Sequence, residues 1–146
     1  MIVNNLKDLE KMFIGLNKNI SNALDVEVTN ATREVMKEQI QQVVYEPYDP
    51  TVYERQKEVG GLTDEENIKA TLKNANTLII ENVRSDKGVN VAEIVESGEG
   101  YKYEFPFNGV PRPFSEATRE YLENTGIHKE ALYRGLKRQG ISVESK

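Results

Sequence analysis

The chain contains no cysteine and no tryptophan, and its single histidine is His128. Without cysteine there is no disulfide framework, no thiol nucleophile and no thiolate metal site. A Ser-His-Asp triad or a histidine-rich zinc site would have to be built around His128 alone. Basic residues are the minority: 19 Lys and Arg stand against 24 Asp and Glu, a net charge of −5. Binding to nucleic acid is usually announced by a basic excess, because phosphate neutralisation supplies most of the non-specific affinity. The excess here has the opposite sign, and no specific nucleic-acid partner is expected. No apolar run approaches the roughly 18 residues that a membrane-spanning helix needs. The start, Met1 to Phe13, has no basic segment followed by an apolar one, so it does not read as a signal peptide.

What is present is 146 residues, 38% hydrophobic and 29% charged. That is one domain's worth of sequence, with enough apolar content for an independent core. Residues 1–45 read as a helical region. Leu6, Leu9, Phe13, Leu16, Ile20 and Leu24 recur at spacings of three and four, an amphipathic stripe. Ala31, Val35, Met36, Ile40, Val43 and Val44 form a second stripe, displaced by well over a quarter turn. Either the helix breaks near Asp25–Asn30, where β-branched residues gather, or a continuous helix about 60 Å long meets two different partners. Residues 46–67 follow as a long loop, bounded by Pro47 and Pro50 at one end and holding Gly60-Gly61. Loops of that length are usually functional or disordered. Tyr45, Tyr48 and Tyr53 argue against plain disorder and suit either a contact arm or a cover for the chain's own core.

Residues 68–105 read as an antiparallel sheet. Ile68, Ala70 and Leu72 alternate with polar residues, Asn74-Ala75-Asn76 is a turn, and Thr77–Arg84 is β-branched and apolar. Ser85–Gly88 predicts a hairpin turn, with Val89–Glu96 pairing back. Tyr101, Tyr103 and Phe105 could add a short fourth strand. Residues 106–146 hold Pro106, Pro111 and Pro113 in an extended connector, then two short helices split at Asn124-Thr125-Gly126. Ser115 is the expected cap of the first, with Phe114 as a staple before it. The expected architecture is α+β in a single domain: a long N-terminal helix, a three- to four-stranded antiparallel meander, and two C-terminal helices covering one sheet face.

Little of this carries chemistry. Glu96, Glu99 and Glu104 lie beside a glycine-rich turn, and paired carboxylates can serve as acid and base or hold hard cations. In so acidic a chain, such a cluster reads first as a solvated face. Lys129, Arg134, Lys137 and Arg138 give the last helix a basic side, which complements its dipole. No catalytic residue, cofactor or metal site is expected, and the chain does not read as an enzyme.

The order of the remaining motifs is informative. Val95-Glu96-Ser97-Gly98 ends an expected strand, and Pro111-Arg112-Pro113-Phe114 leads into the C-terminal helix. Together with the preceding helix, and with Tyr53-Glu54-Arg55 and Gly60-Gly61-Leu62, this resembles the head–tail joining or tail-completion proteins of tailed bacteriophages. These are also described as neck, minor capsid or tail-terminator proteins. The matching positions are Val95, Glu96, Gly98, Pro111, Pro113 and Phe114; Ser97 and the aromatic stretch Tyr101–Asn108 depart from the pattern. The resemblance implies a non-enzymatic virion protein without a cofactor, made in the bacterial host cytoplasm. It implies a cyclic homo-oligomer, six-fold favoured and twelve-fold possible, at the junction of portal and tail. Its partners would be neighbouring neck, connector and tail proteins, with DNA passing through the ring. Tyr45, Tyr48, Tyr53, Arg55, Tyr101, Tyr103 and Phe107 are the candidate intersubunit contacts, since interfaces concentrate binding energy on tyrosine and arginine. Two other classes compete: a small binding or regulatory module acting as monomer or dimer, and a small hydrolase using Glu96 and Glu104.

Overall fold

The computed structural model describes residues 4–51 and 54–144. Asn5 opens the first helix, its side chain accepting from Asp8 N at 2.9 Å. Helical backbone then runs from Leu6 to Tyr45 without a break. It comprises α1 (Leu6–Ala23), a π turn (Leu24–Val28), α2 (Thr29–Ile40) and a second π turn (Gln41–Tyr45). A π turn adds one residue to a turn, so it rotates everything after it by roughly 100° relative to a regular α-helix. This settles the displaced second stripe: the helix does not break at Asp25–Asn30, it is wound out of phase there. Thr29 contributes by donating its hydroxyl to Leu24 O at 2.8 Å.

Packing divides the chain into two compact units, each discontinuous in sequence. The first comprises Met1–Ala31, Ala70–Ile79 and Gly126–Lys146. In it, α5 (Ile127–Arg138) packs on α1 and the first π turn. Gly135 lies where the backbones come close: a Cβ there would be 2.5 Å from the Ala23 Cβ. Arg138 reaches Glu27 and Asn22, and Gln139 Nε2 donates to Asn19 O at 2.8 Å. Ser21 Oγ donates to Ala75 O, in the turn between β1 (Ile68–Asn74) and β2 (Thr77–Asn82). Within the α1 stripe Leu6 and Phe13 stay wet, at 84% and 54% exposed, beside the off-stripe Ile14 at 52%, while Leu9 is half-buried.

The second unit comprises Thr32–Lys69 and Ile80–Thr125. Its core joins Met36, Ile40 and Val44 of the helix to Ile68, Val95 and Phe114, all buried. Arg33 Nε donates to Ile68 O at 2.9 Å, and Asn82 Nδ2 to Leu62 O at 2.8 Å. The end of the loop before β1 is therefore packed, with Gly61, Leu62 and Thr63 buried and Leu62 in the core. Asp64 holds it: its carboxylate accepts from Gly60 N at 2.6 Å and Glu66 N at 3.0 Å. Those two N–H groups keep the Asp64 carboxyl below its ordinary pKa.

The class is α+β, with the long N-terminal helix and the two C-terminal helices in place. The strands divide differently from the expected meander. They form two separate two-stranded hairpins, β1–β2 and β3–β4 (Ser85–Asp86 and Val89–Asn90). In the second, Ser85 pairs with Asn90 and Asp86 with Val89. The two-residue turn is Lys87-Gly88, at φ 50° and 81°, the left-handed geometry such turns demand. The expected strand over Val89–Glu96 stops at Asn90, and Val91–Ser97 is helix α3. Asn90 caps it, accepting from Glu93 N at 3.1 Å. Tyr101–Phe105 forms no strand. The C-terminal helices pack on helical segments instead of a sheet face: α5 as above, and α4 (Phe114–Thr125) on the π turn Gln41–Tyr45. Two-stranded ribbons this short offer too little face to cover a helix.

Candidate functional site

Two sequence motifs meet in a single joint of the second unit. Helix α3 ends at Gly98, which takes φ 75° and donates its N–H to Ile94 O at 2.8 Å. The returning chain crosses directly over it. A Cβ on Gly98 would lie 2.4 Å from the carbonyl carbon of Val110, so only glycine fits. Gly109 N donates to Gly98 O at 2.7 Å, and Arg112 N to Val95 O at 3.1 Å. Glu96 then accepts from Ser115 N at 2.7 Å. A carboxylate from another helix thus satisfies a first-turn amide of α4 and meets the positive end of its dipole. Ser115 is not the cap expected from the sequence: the helix begins at Phe114, and the Pro113 carbonyl accepts the first turn's bond from Ala117 N. Phe114 is fully buried, as the first helical residue and not a staple outside it. Pro111 and Pro113 remain exposed.

The same connector delivers Arg112 into the interior, where it is 6% exposed. Its Nη1 donates to Val44 O at 3.3 Å and its Nη2 to the Tyr101 hydroxyl at 2.8 Å. The guanidinium lies 4.6 Å from the Phe107 ring centre and 5.8 Å from that of Phe105. Aromatic rings build outward from there. Tyr101 and Phe105 meet edge to face at 4.6 Å, Phe105 also touches Tyr103 at 5.2 Å, and Tyr48 touches Phe105 at 5.4 Å and Phe107 at 6.1 Å. On the far side of Tyr48, Arg55 donates to the carbonyls of Tyr45 and Tyr48 and stacks 4.8 Å from the Tyr45 ring. All of these groups but Phe107 border an open cavity of about 440 Å³, as does Arg84.

Six of the seven sequence-predicted contact residues therefore share one neighbourhood, and the seventh, Tyr53, lies outside the described residues. They do not share one role. Tyr45 is 5% exposed, and burial pushes its hydroxyl above its ordinary pKa. It is a core residue. Tyr103 is 51% exposed. Tyr48, Arg55, Tyr101 and Phe107 are half-buried, each with one side on the unit and one side accessible. Of the acidic cluster, Glu96 is engaged as a cap, whereas Glu99 and Glu104 are exposed. His128 sits half-buried in the first turn of α5. On the basic side of α5, Arg138 is tied to Glu27, whose carboxyl it holds below the ordinary value. Among the described residues, no group of three or more acids or histidines could hold a metal ion. No helix among them is long and apolar enough to cross a membrane.

Arg112 and Arg84 were not legible as site residues. Arg112 appears in sequence only as the residue between two prolines, and Arg84 only as the end of an apolar run. The one available signal is that prolines fix the connector on both sides of Arg112, so its side chain has a defined direction.

No solved structure matches the chain. A curated relative does: the SPbeta prophage-derived uncharacterized protein YomN of Bacillus subtilis (strain 168) is 30% identical, over 95% of this chain and 97% of its own length. That match supports a phage origin. The YomN family model covers residues 5–138, from the cap of α1 to the last residue of α5, and the chain belongs to that family.

Proposed function

We propose that the chain is a structural, non-enzymatic protein of a tailed-phage particle. It assembles as a ring at the head–tail junction, with six-fold symmetry favoured over twelve-fold. In that place it joins the tail to the portal–connector complex and contacts neighbouring neck and tail proteins. The observation that carries the reading is the exposure of large apolar side chains on α1, where Leu6 and Phe13 of the stripe and the off-stripe Ile14 stand largely in solvent. Clustered apolar side chains of this kind mark contact surfaces. A head-to-tail contact between identical chains closes into a ring when its rotation permits. The phage origin supports the setting.

Electron microscopy of purified particles tests the proposal. The expected result is a ring of this protein at the neck, with lateral contacts through α1. A Phe13→Glu phage should then yield separate heads and tails while the isolated variant stays folded, because Phe13 is already exposed. Isolated copies without lateral contacts would overturn the ring. Absence of the protein from the particle would overturn the virion role and leave the small binding or regulatory module.

A further inference from the structure

The cavity beside Arg112 carries an inference that holds whether or not copies assemble, because it lies within one unit of one chain. Three arginines border it: Arg55, Arg84 and Arg112. Each has five N–H donors. Each donates two of them, and only to neutral acceptors. Arg112 bonds Val44 O and the Tyr101 hydroxyl, Arg55 the carbonyls of Tyr45 and Tyr48, and Arg84 the Ser85 carbonyl and, at 2.9 Å, Gln56 Oε1. Among the described residues, no carboxylate comes within ion-pair distance of any of the three. Among the described residues, the buried Nε of Arg112 has no acceptor.

A guanidinium taken out of water needs an anion or a full set of hydrogen bonds. Arg112 has neither, and its stacking on Phe107 offsets only part of the loss. The site is thus short of one negative charge. Two further features narrow the ligand. Glu54 and Asp86 also border the cavity and are exposed, so a dianion or polyanion would meet repulsion. The remaining wall mixes the polar Gln56 and the tyrosines with an apolar stretch from Leu62, Val91, Val95 and Phe105. A volume of about 440 Å³ accepts a group the size of one or two amino acids.

We propose that this cavity binds a single carboxylate carried next to an apolar group, with the arginines pairing the carboxylate and the aromatic wall taking the apolar part. Two sources present that chemistry: a free small carboxylic acid, or an acidic residue flanked by an apolar one in a protein segment.

The test is a titration of the full-length ¹⁵N-labelled protein, read at its arginine Nε–H resonances. The probes are N-acetylphenylalanine, its uncharged amide, inorganic phosphate, and a blocked tetrapeptide with a glutamate beside a phenylalanine. The expected result is saturable shifts at Arg112 and Arg84 with the acid or the peptide, at a Kd of about 1 mM or tighter. The amide should leave them in place. Arg84→Gln, which removes a partly exposed arginine and leaves buried Arg112 intact, should weaken binding about tenfold. Arg119→Gln, on the exposed face of α4 and away from the cavity, should leave it unchanged. Tighter binding of the peptide identifies a protein segment as the source, and tighter binding of the free acid a small molecule. Equal shifts with the amide, tighter binding of phosphate, no saturation with either carboxylate, or equal effects of the two substitutions would overturn the proposal.

Discussion

The two units are closed by opposite means. The second is centred on a large side chain: Phe114 is fully buried, with Ile40 and Ile68 equally buried in the same core. The first is centred on a missing one. Ala23, Ala131 and Gly135 are buried where the helix backbones approach, with Val28 and Leu136 the larger buried side chains beside them. Small residues remove little apolar surface from water, so that unit draws less on hydrophobic burial and more on shape and polar ties. Those ties are Arg138 to Glu27 and Asn22, and Gln139 to Asn19. The contrast teaches that similar amphipathic helices can be fixed by filling a space or by vacating one. The second mode leaves apolar side chains unburied, as α1 does.

The contrast can be broken most severely at Phe114. Phe114→Ala should destabilise the second unit by about 3–5 kcal/mol, through lost burial and an unfilled cavity. Thermal unfolding measures this, and hydrogen exchange should place the loss at α3, α4 and Ile40–Val44. A change of less than about 1 kcal/mol would mean that the ring is not the centre of the unit.

Gly135→Ala inverts the experiment. Adding one methyl group should cost about 1–3 kcal/mol by forcing α5 away from Ala23, because the added carbon meets another Cβ and the Ala23 Cα with no room to turn aside. Amides in α1 and α5 should exchange faster while those around Phe114 hold. If both units respond equally, they unfold as one and the contrast is only geometric.

Glu96→Ala sharpens the picture of the joint. It removes the acceptor for Ser115 N and should cost about 1 kcal/mol, within the range for a lost helix cap. The exchange of amides in the first turn of α4 would report it. Glu96→Gln, which keeps an acceptor oxygen, should cost less.

The smallest effect is the pH dependence of the first unit. Arg138 lowers the Glu27 carboxyl from 4.5 through its hydrogen bond. A carboxyl depressed in the folded state stabilises above its unfolded value, and that stability is lost as pH falls through the folded one. Acidification below 4.5 should therefore speed exchange at the α1–α5 contact, and Glu27→Gln should remove that increment. Because Arg138 is about half exposed, added salt should shrink the effect.

Local chemistry was legible wherever a short segment decides its own conformation. Ser85–Gly88 needed only the left-handed tolerance of glycine and a two-residue loop to announce a hairpin. Asn124-Thr125-Gly126 announced the split between α4 and α5 in the same way. Helix α3 was misread because Val89, Val91 and Val95 suggested strand propensity. Its own signals were present: apolar residues at Val91, Ala92, Ile94 and Val95, an Asn90 cap, an acidic Glu93 in the first turn, and Gly98 at the end. Packing of Val95 and Ala92 into the core tipped a short ambiguous run toward helix. The aromatic stretch was misread for a different reason. Tyr101, Tyr103 and Phe105 alternate as a strand would, but among the described residues no strand pairs with them, and Tyr101 and Phe105 pack at the Arg112 guanidinium instead.

The sequence by itself determined the α+β class, the helical character of the region ending at Tyr45, the turns at glycine, and the segments whose aromatic residues would matter. These follow from periodicity and backbone sterics, which act over a few residues. Only the tertiary structure decided that the helix stays continuous with the out-of-phase stripe absorbed by a π turn, that Glu96 caps a helix 19 residues away, and that Arg112 stands buried among rings with no carboxylate paired to it among the described residues. Each of these depends on which groups distant in sequence arrive at the same point. Local propensity carries no information about that, because the energies that fix it arise only when the segments meet.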